Sequence, residues 1–217
     1  MECPAWSTRY GVPGMEYPVW NTPKVWFFGV TLVFIIFPDM HPIHTLVKKL
    51  DDANLWDRSI ILARNEFLKV KGSIDTNLYL VVSGTLRIFL TDEEEEHTIR
   101  FGYRNNLIAA LDSFLSEQPS SLYIQALKQT ELKSIRKQTY YDFMSSSLEN
   151  QQLWMTVLEN FTLQQMEREA DILIASPSKR YRRVLARSPQ LFQEIPHKYI
   201  ASYLRMTPET LSRIKKS

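Results

Sequence analysis

The chain has 217 residues, 44% of them hydrophobic, and a formal net charge of +2, enough for one substantial core and a small satellite domain. Its single cysteine, Cys3, excludes a disulfide framework, a Cys-rich zinc site and a cysteine-ligated iron–sulfur cluster, and fits a reducing cytoplasm. The small net charge hides an asymmetry: residues 176–217 carry +8, residues 40–175 carry −5 and residues 1–39 carry −1, so only the C-terminal end is expected to meet a polyanion.

In chain order, the first 39 residues stand apart. Trp6, Trp20 and Trp26 lie there, with an uncharged run, VWFFGVTLVFIIF, from Val25 to Phe37. As a helix that run reaches only about 20 Å, short of the ~30 Å hydrocarbon core of a bilayer. Pro38-Asp39 follows where a secretory signal would need small residues. A membrane-associating extension, an extra buried strand and translated upstream sequence outside the working protein remain open. The last is favoured, because Met40 opens a well-patterned stretch, MHPIHTLVKKL.

From about Ile60 the period becomes that of strands. RSIILARNEFLKVKG, NLYLVVSGTLRIFLTD, EHTIRFGYRNNLIAA and SSLYIQALKQTELKSIRK are rich in β-branched and aromatic residues. Gly, Asn and Asp break them at short spacing, with Gly72, Gly84 and Gly102 at expected turns or bulges, which predicts an antiparallel barrel or sandwich. The acidic run Asp92 to Glu96 is expected to be a solvated hairpin tip.

After Thr139 the pattern is helical. Leu153, Trp154, Val157, Leu158, Phe161, Met166, Ala170 and Leu173 recur at spacings of three and four. Such a stripe needs a partner, either the barrel or a second copy. The length favours a dimer, with Trp154, Val157, Leu158 and Phe161 as the dimerisation residues. Ser176-Pro177 then closes this helix and starts the next.

The closing stretch, IPHKYIASYLRMTPETLSRIKKS over residues 195–217, holds two short helical patterns around a Thr-Pro. Thr207 is a good N-cap and Pro208 fits the first helical position. Leu211 and Ile214 are expected inward, leaving Glu209, Thr210, Ser212, Arg213 and Lys216 outward, as a helix docking in a major groove requires. Arg213 suits guanine O6 and N7, Glu209 a cytosine amino group, and the hydroxyls of Thr207 and Thr210 phosphates or bases. Lys198, Lys215 and Lys216 suit phosphates. An ordinary helical hairpin with a basic solvated face is the alternative.

Over residues 40–217 the sequence resembles the Crp/Fnr superfamily of bacterial transcription regulators, especially the short regulators of Bacteroidetes. NLYLVVSGTLRIF is similar to the strand pair "yyIlsGxvrv" of the cyclic-nucleotide-binding β-roll, with Gly84 at the family glycine, and IASYLRMTPETLSR to the recognition pattern "IAxxLGxxxETvSR". The resemblance implies a homodimer with a β-roll, a long dimerisation helix and a helix-turn-helix that binds two-fold double-stranded DNA, with RNA polymerase a candidate partner. Departures follow the same alignment. Ala109-Ala110 stand where the phosphate-binding cassette has Gly-Glu, and Ser120-Ser121 where it has Arg-Ser or Arg-Thr. Without the arginine a cyclic phosphate loses a charge-assisted contact of about 1.5–3 kcal/mol, so cyclic AMP is not the expected effector, although the pocket is free to serve an unidentified small molecule. Arg205 stands at the usual turn glycine, Pro208 where many members carry an arginine, and no β-hairpin wing follows.

The expected fold is α+β: an extension over 1–39, an antiparallel β-roll of double-stranded β-helix or jelly-roll type over 40–150, the long helix over 151–175, and a helix-turn-helix domain lacking a full wing over 176–217. No enzyme chemistry is expected, because no phosphate loop or Ser, His and Asp grouping occurs. His41 and His44 are three apart without a third ligand, so no metal is expected, nor a cofactor or membrane. The expectation is a dimeric, sequence-specific DNA-binding regulator of the cytoplasm with a degenerate effector domain. Its rival is a ligand-sensing or protein-interaction module that no longer binds DNA.

Overall fold

The computed structural model describes residues 42–93 and 95–216. The expectations about residues 1–39, Cys3 and His41 lie outside the described residues. A short helix, α1 (Pro42–Asp52), precedes eight strands: β1 (Arg58–Leu62), β2 (Phe67–Lys69), β3 (Asn77–Ser83), β4 (Thr85–Asp92), β5 (Glu95–Tyr103), β6 (Leu107–Ile108), β7 (Tyr123–Ala126) and β8 (Thr130–Arg136). A six-residue helix, α2 (Leu111–Ser116), interrupts them between β6 and β7. The strands form two antiparallel four-stranded sheets, ordered β1-β8-β3-β6 and β2-β7-β4-β5. Antiparallel sheets are what the strand pattern predicts, and the β-roll is the form that the resemblance implies.

Leu62, Val81, Leu86, Ile88, Ile124, Ala126 and Leu132 fill the space between the sheets. Gly84 makes the β3–β4 turn with φ +93°, and a Cβ there would lie 2.4 Å from Thr130 Cα. The tight strand reversal therefore needs glycine. The β4–β5 connection falls in the acidic run, with Asp92, Glu93, Glu95 and Glu96 exposed.

Eight residues after β8, the chain is still helical. α3 (Lys137–Ser145) and α4 (Leu148–Leu173) follow, and α4 runs for 26 residues, about 39 Å at 1.5 Å per residue. The Ser147 side chain caps α4 by accepting from Asn150 N–H. A second core joins α1, α3 and α4 to the roll through Ile43, Leu46, Leu50, Ile135, Tyr140, Met144 and Val157. The tail comprises α5 (Pro177–Arg187), α6 (Pro189–Glu194), α7 (His197–Tyr203) and α8 (Pro208–Lys216). Its own core is Val184, Leu191, Ile195, Ile200, Ala201, Leu204 and Leu211.

Candidate nucleic-acid interface and effector cavity

The tail builds a short exposed helix on a packed support. Thr207 Oγ1 accepts from Thr210 N–H at 3.2 Å, Pro208 takes the first helical position, and Leu211 is buried. Glu209, Ser212, Arg213, Lys215 and Lys216 are exposed, while Thr210 and Ile214 are half-buried. The Glu209 carboxyl is held below its usual range by its own backbone N–H and by Thr207. Lys215 Nζ lies 2.7 Å from His197 Nε2, and Lys198 Nζ sits 4.6 Å from the Tyr199 ring centroid.

The turn between α7 and α8 has an unusual lock. Arg205 adopts φ +51°, a left-handed conformation that costs a non-glycine residue about 1–2 kcal/mol. Arg180, buried under it, donates Nε to Leu204 O at 2.8 Å and Nη2 to Arg205 O at 2.9 Å. Its Nη1 donates to Ile174 O at 2.6 Å, at the end of α4. Arg180 thus ties three segments together and contributes no surface charge. Arg183 and Arg187 are also engaged, forming ion pairs with Glu167 and Asp171 of α4. Of the ten bases behind the +8 count, one is therefore buried and two more are committed to ion pairs with α4.

The largest feature that sequence reasoning missed is the seat of α7 on the roll. Ser202 Oγ donates to Glu96 O at 3.0 Å and accepts from Thr98 N–H at 3.1 Å, both on β5. Phe101 of β5 packs on Tyr203 with ring centroids 5.6 Å apart, and Arg168 of α4 lies 3.8 Å above the same ring. Arg87, buried in β4, is held by Thr98 and Glu96 and stacks between Phe89 and Tyr199. Lys128 pairs with Glu194 at 2.8 Å. Strand β5 is thus a shared wall whose other residues, Ile99 and Arg100, line a cavity.

At the cassette positions the structure brings a carboxylate to the serines. Ser120 Oγ donates to Asp112 at 2.8 Å and Ser121 N–H at 2.9 Å. Ser113 N–H donates to the same carboxylate at 2.8 Å. Partial burial alone would raise the Asp112 carboxyl, but the bonds from Ser121, Ser120 and Ser113 together hold it below the usual carboxylate range. Ala110 is buried, and Ala109 lines a cavity of about 600 Å³ between the roll, α2 and α4.

The four residues expected at a dimer seam divide. Val157 is wholly buried in the core between roll and helices, and Trp154 and Phe161 pack half-buried against it. Leu158 lines the cavity. Facing solvent along α4 are instead Leu148, Met155, Leu163, Met166 and Leu173.

Residues 60–147 match the family model described as the cyclic nucleotide-binding domain. The roll is a cyclic nucleotide-binding domain. No curated protein sequence matches the chain. Among solved structures, a CooA variant from Carboxydothermus hydrogenoformans is 16% identical with a TM-score of 0.61, covering 79% of this chain and 82% of that one. FixK2 from Bradyrhizobium japonicum is 15% identical with a TM-score of 0.60, covering 73% and 82%. A Crp/Fnr-family protein from Eubacterium rectale is 24% identical with a TM-score of 0.57, covering 79% and 82%. The cyclic nucleotide-binding domain therefore sits in a Crp/Fnr-type fold, in which the long helix and the C-terminal helices follow the roll. No helix among the described residues is long and apolar enough to cross a membrane.

Proposed function

We propose that the chain is a homodimeric, sequence-specific DNA-binding transcription regulator whose cyclic nucleotide-binding domain does not respond to cyclic AMP. The observation that carries this reading is the capped helix α8, which holds Glu209, Ser212 and Arg213 exposed on a packed α7. Arg213 and Glu209 would read base edges, Ser212, Thr207 and Thr210 would contact bases or phosphates, and Lys198, Lys215 and Lys216 would neutralise phosphates. RNA polymerase is a further proposed partner.

Against cyclic AMP stands Asp112. The hydroxyls and amide of Ser120 and Ser121 already serve its carboxylate, so a cyclic phosphate would meet engaged donors beside a like charge. Selection from random duplexes tests the main proposal. Enrichment of a palindromic site, with Arg213→Ala relaxing preference by about 1–3 kcal/mol per lost base contact, is the expected result. Lys215→Ala should weaken all duplexes alike and reduce the salt slope by about one. The seat of α7 on β5 favours a second reading, an interaction module without DNA binding, which predicts no enriched site.

A further inference from the structure

The cavity beside α4 has a chemistry that the cassette does not explain. Its volume of about 600 Å³ is that of a small-molecule site. Ile88, Ile99 and Leu107 of the roll, Leu111 and Leu115 of α2, and Phe161 of α4 give it apolar walls. Leu111 and Leu115 are 44% and 55% exposed, an unusual state for leucines at the mouth of a groove.

Arg100, Glu169 and Tyr140 in this lining have no side-chain hydrogen-bond or ion-pair partner among the described residues. The Arg100 guanidinium makes no hydrogen bond or ion pair among the described residues, and burial pulls its pKa below the usual arginine value. Glu169 is the other charged lining residue, exposed on α4, and no ion pair joins it to Arg100. The Tyr140 hydroxyl is buried without a hydrogen-bond partner among the described residues. A half-desolvated cation with no anion is costly, and a ligand carrying the missing charge would remove that cost. The surrounding apolar walls require that the rest of the ligand be apolar.

We propose that this cavity binds an amphipathic carboxylate, its acid on Arg100 and its aliphatic body between α2, the roll and α4. The inference rests on the regulator reading only for what the ligand would control; binding itself stands on the cavity. A second copy of the chain is the less suited occupant. Leu148, Met155 and Leu173, the exposed apolar residues of α4 at spacings of seven and eighteen, stand outside the cavity lining, whereas Trp154, Val157 and Phe161 form its wall and Met166 borders its mouth.

Calorimetric titration of the full chain with straight-chain carboxylates of roughly eight to twelve carbons, and with the matching primary alcohols, tests this against a pocket of ordinary ligand size. Saturable binding of one acid per chain is expected, with the alcohol weaker by roughly tenfold or more, the loss of one charge-assisted contact. Arg100→Gln should bring acid and alcohol to equal affinity. The comparison in the unaltered protein does not depend on that variant folding. Equal affinity of acid and alcohol there, or absence of saturable acid binding, would each overturn the proposal. The titration needs no DNA and the duplex selection needs no ligand, so failure of one leaves the other readable.

Discussion

Asp112 gathers hydrogen bonds from Ser120, Ser121 and Ser113, and those bonds hold its carboxyl below the usual range. A carboxylate depressed in this way contributes stability that is present above its unfolded pKa, about 3.9, and is lost as pH falls through the folded value. Asp112→Asn should therefore cost about 1–2 kcal/mol at neutral pH, at the low end because the group is partly solvated. In chemical denaturation the gap between the two proteins should narrow steadily below about pH 4. An undiminished gap at low pH would mean that the serines do not recognise the charge. None of this is legible from residues 109–121 alone. Ser120 and Asp112 are eight residues apart across a loop, a spacing no helical or strand period marks. Sequence reasoning found the missing arginine of the cassette but not the anion that answers its serines.

At the scale of elements, the cap at Thr207 was visible because N-caps are local chemistry, a hydroxyl three residues before the N–H it accepts. The strands were visible because β-branched and aromatic residues cluster between Gly, Asn and Asp breaks; burial alternates in β7 and over much of β8, whereas β3 and β4 are buried over most of their length. Arg180 was not, since composition counts its charge and not its destination, four carbonyl bonds that clamp α4, α5 and the α7–α8 turn. That clamp acts on backbone oxygens and so survives a change of side chain at Arg205. Arg205→Gly should relieve the left-handed strain and stabilise the tail, by up to about 1 kcal/mol once the greater freedom of glycine in the unfolded chain is counted. For a chain of this size that is a rise of about 2–4 °C in Tm per kcal/mol, read by calorimetry. A fall in Tm would show that the arginine side chain, exposed here, holds something its backbone conformation does not. Ser202 was equally hidden: its two partners on β5 are 104 and 106 residues away, and a small polar residue on a short helix carries no periodic signal.

At the scale of the whole molecule the question is which face of α4 meets a partner. The helical stripe in the sequence was broad enough to serve two surfaces at once, and periodicity cannot divide it. Burial does. Val157 is buried within the roll's second core, while Met155 and Met166 are 58% and 60% exposed on another face. If a second copy docks on that exposed stripe, Met155→Glu with Met166→Glu places like charges opposite each other across the two-fold axis and removes apolar area from the seam. The pair should turn a dimer into a monomer in sedimentation velocity with little change in circular dichroism, because neither side chain supports the subunit core. Val157→Ala should do the reverse, costing about 2 kcal/mol of subunit stability by opening a cavity while the dimer persists where the chain stays folded. Dissociation by Val157→Ala without loss of stability, or a dimer untouched by both glutamates, would move the seam to the other flank of the helix. There it would cover Leu158 and more of the cavity mouth, which Met166 already borders, and ligand and partner would compete for the same groove.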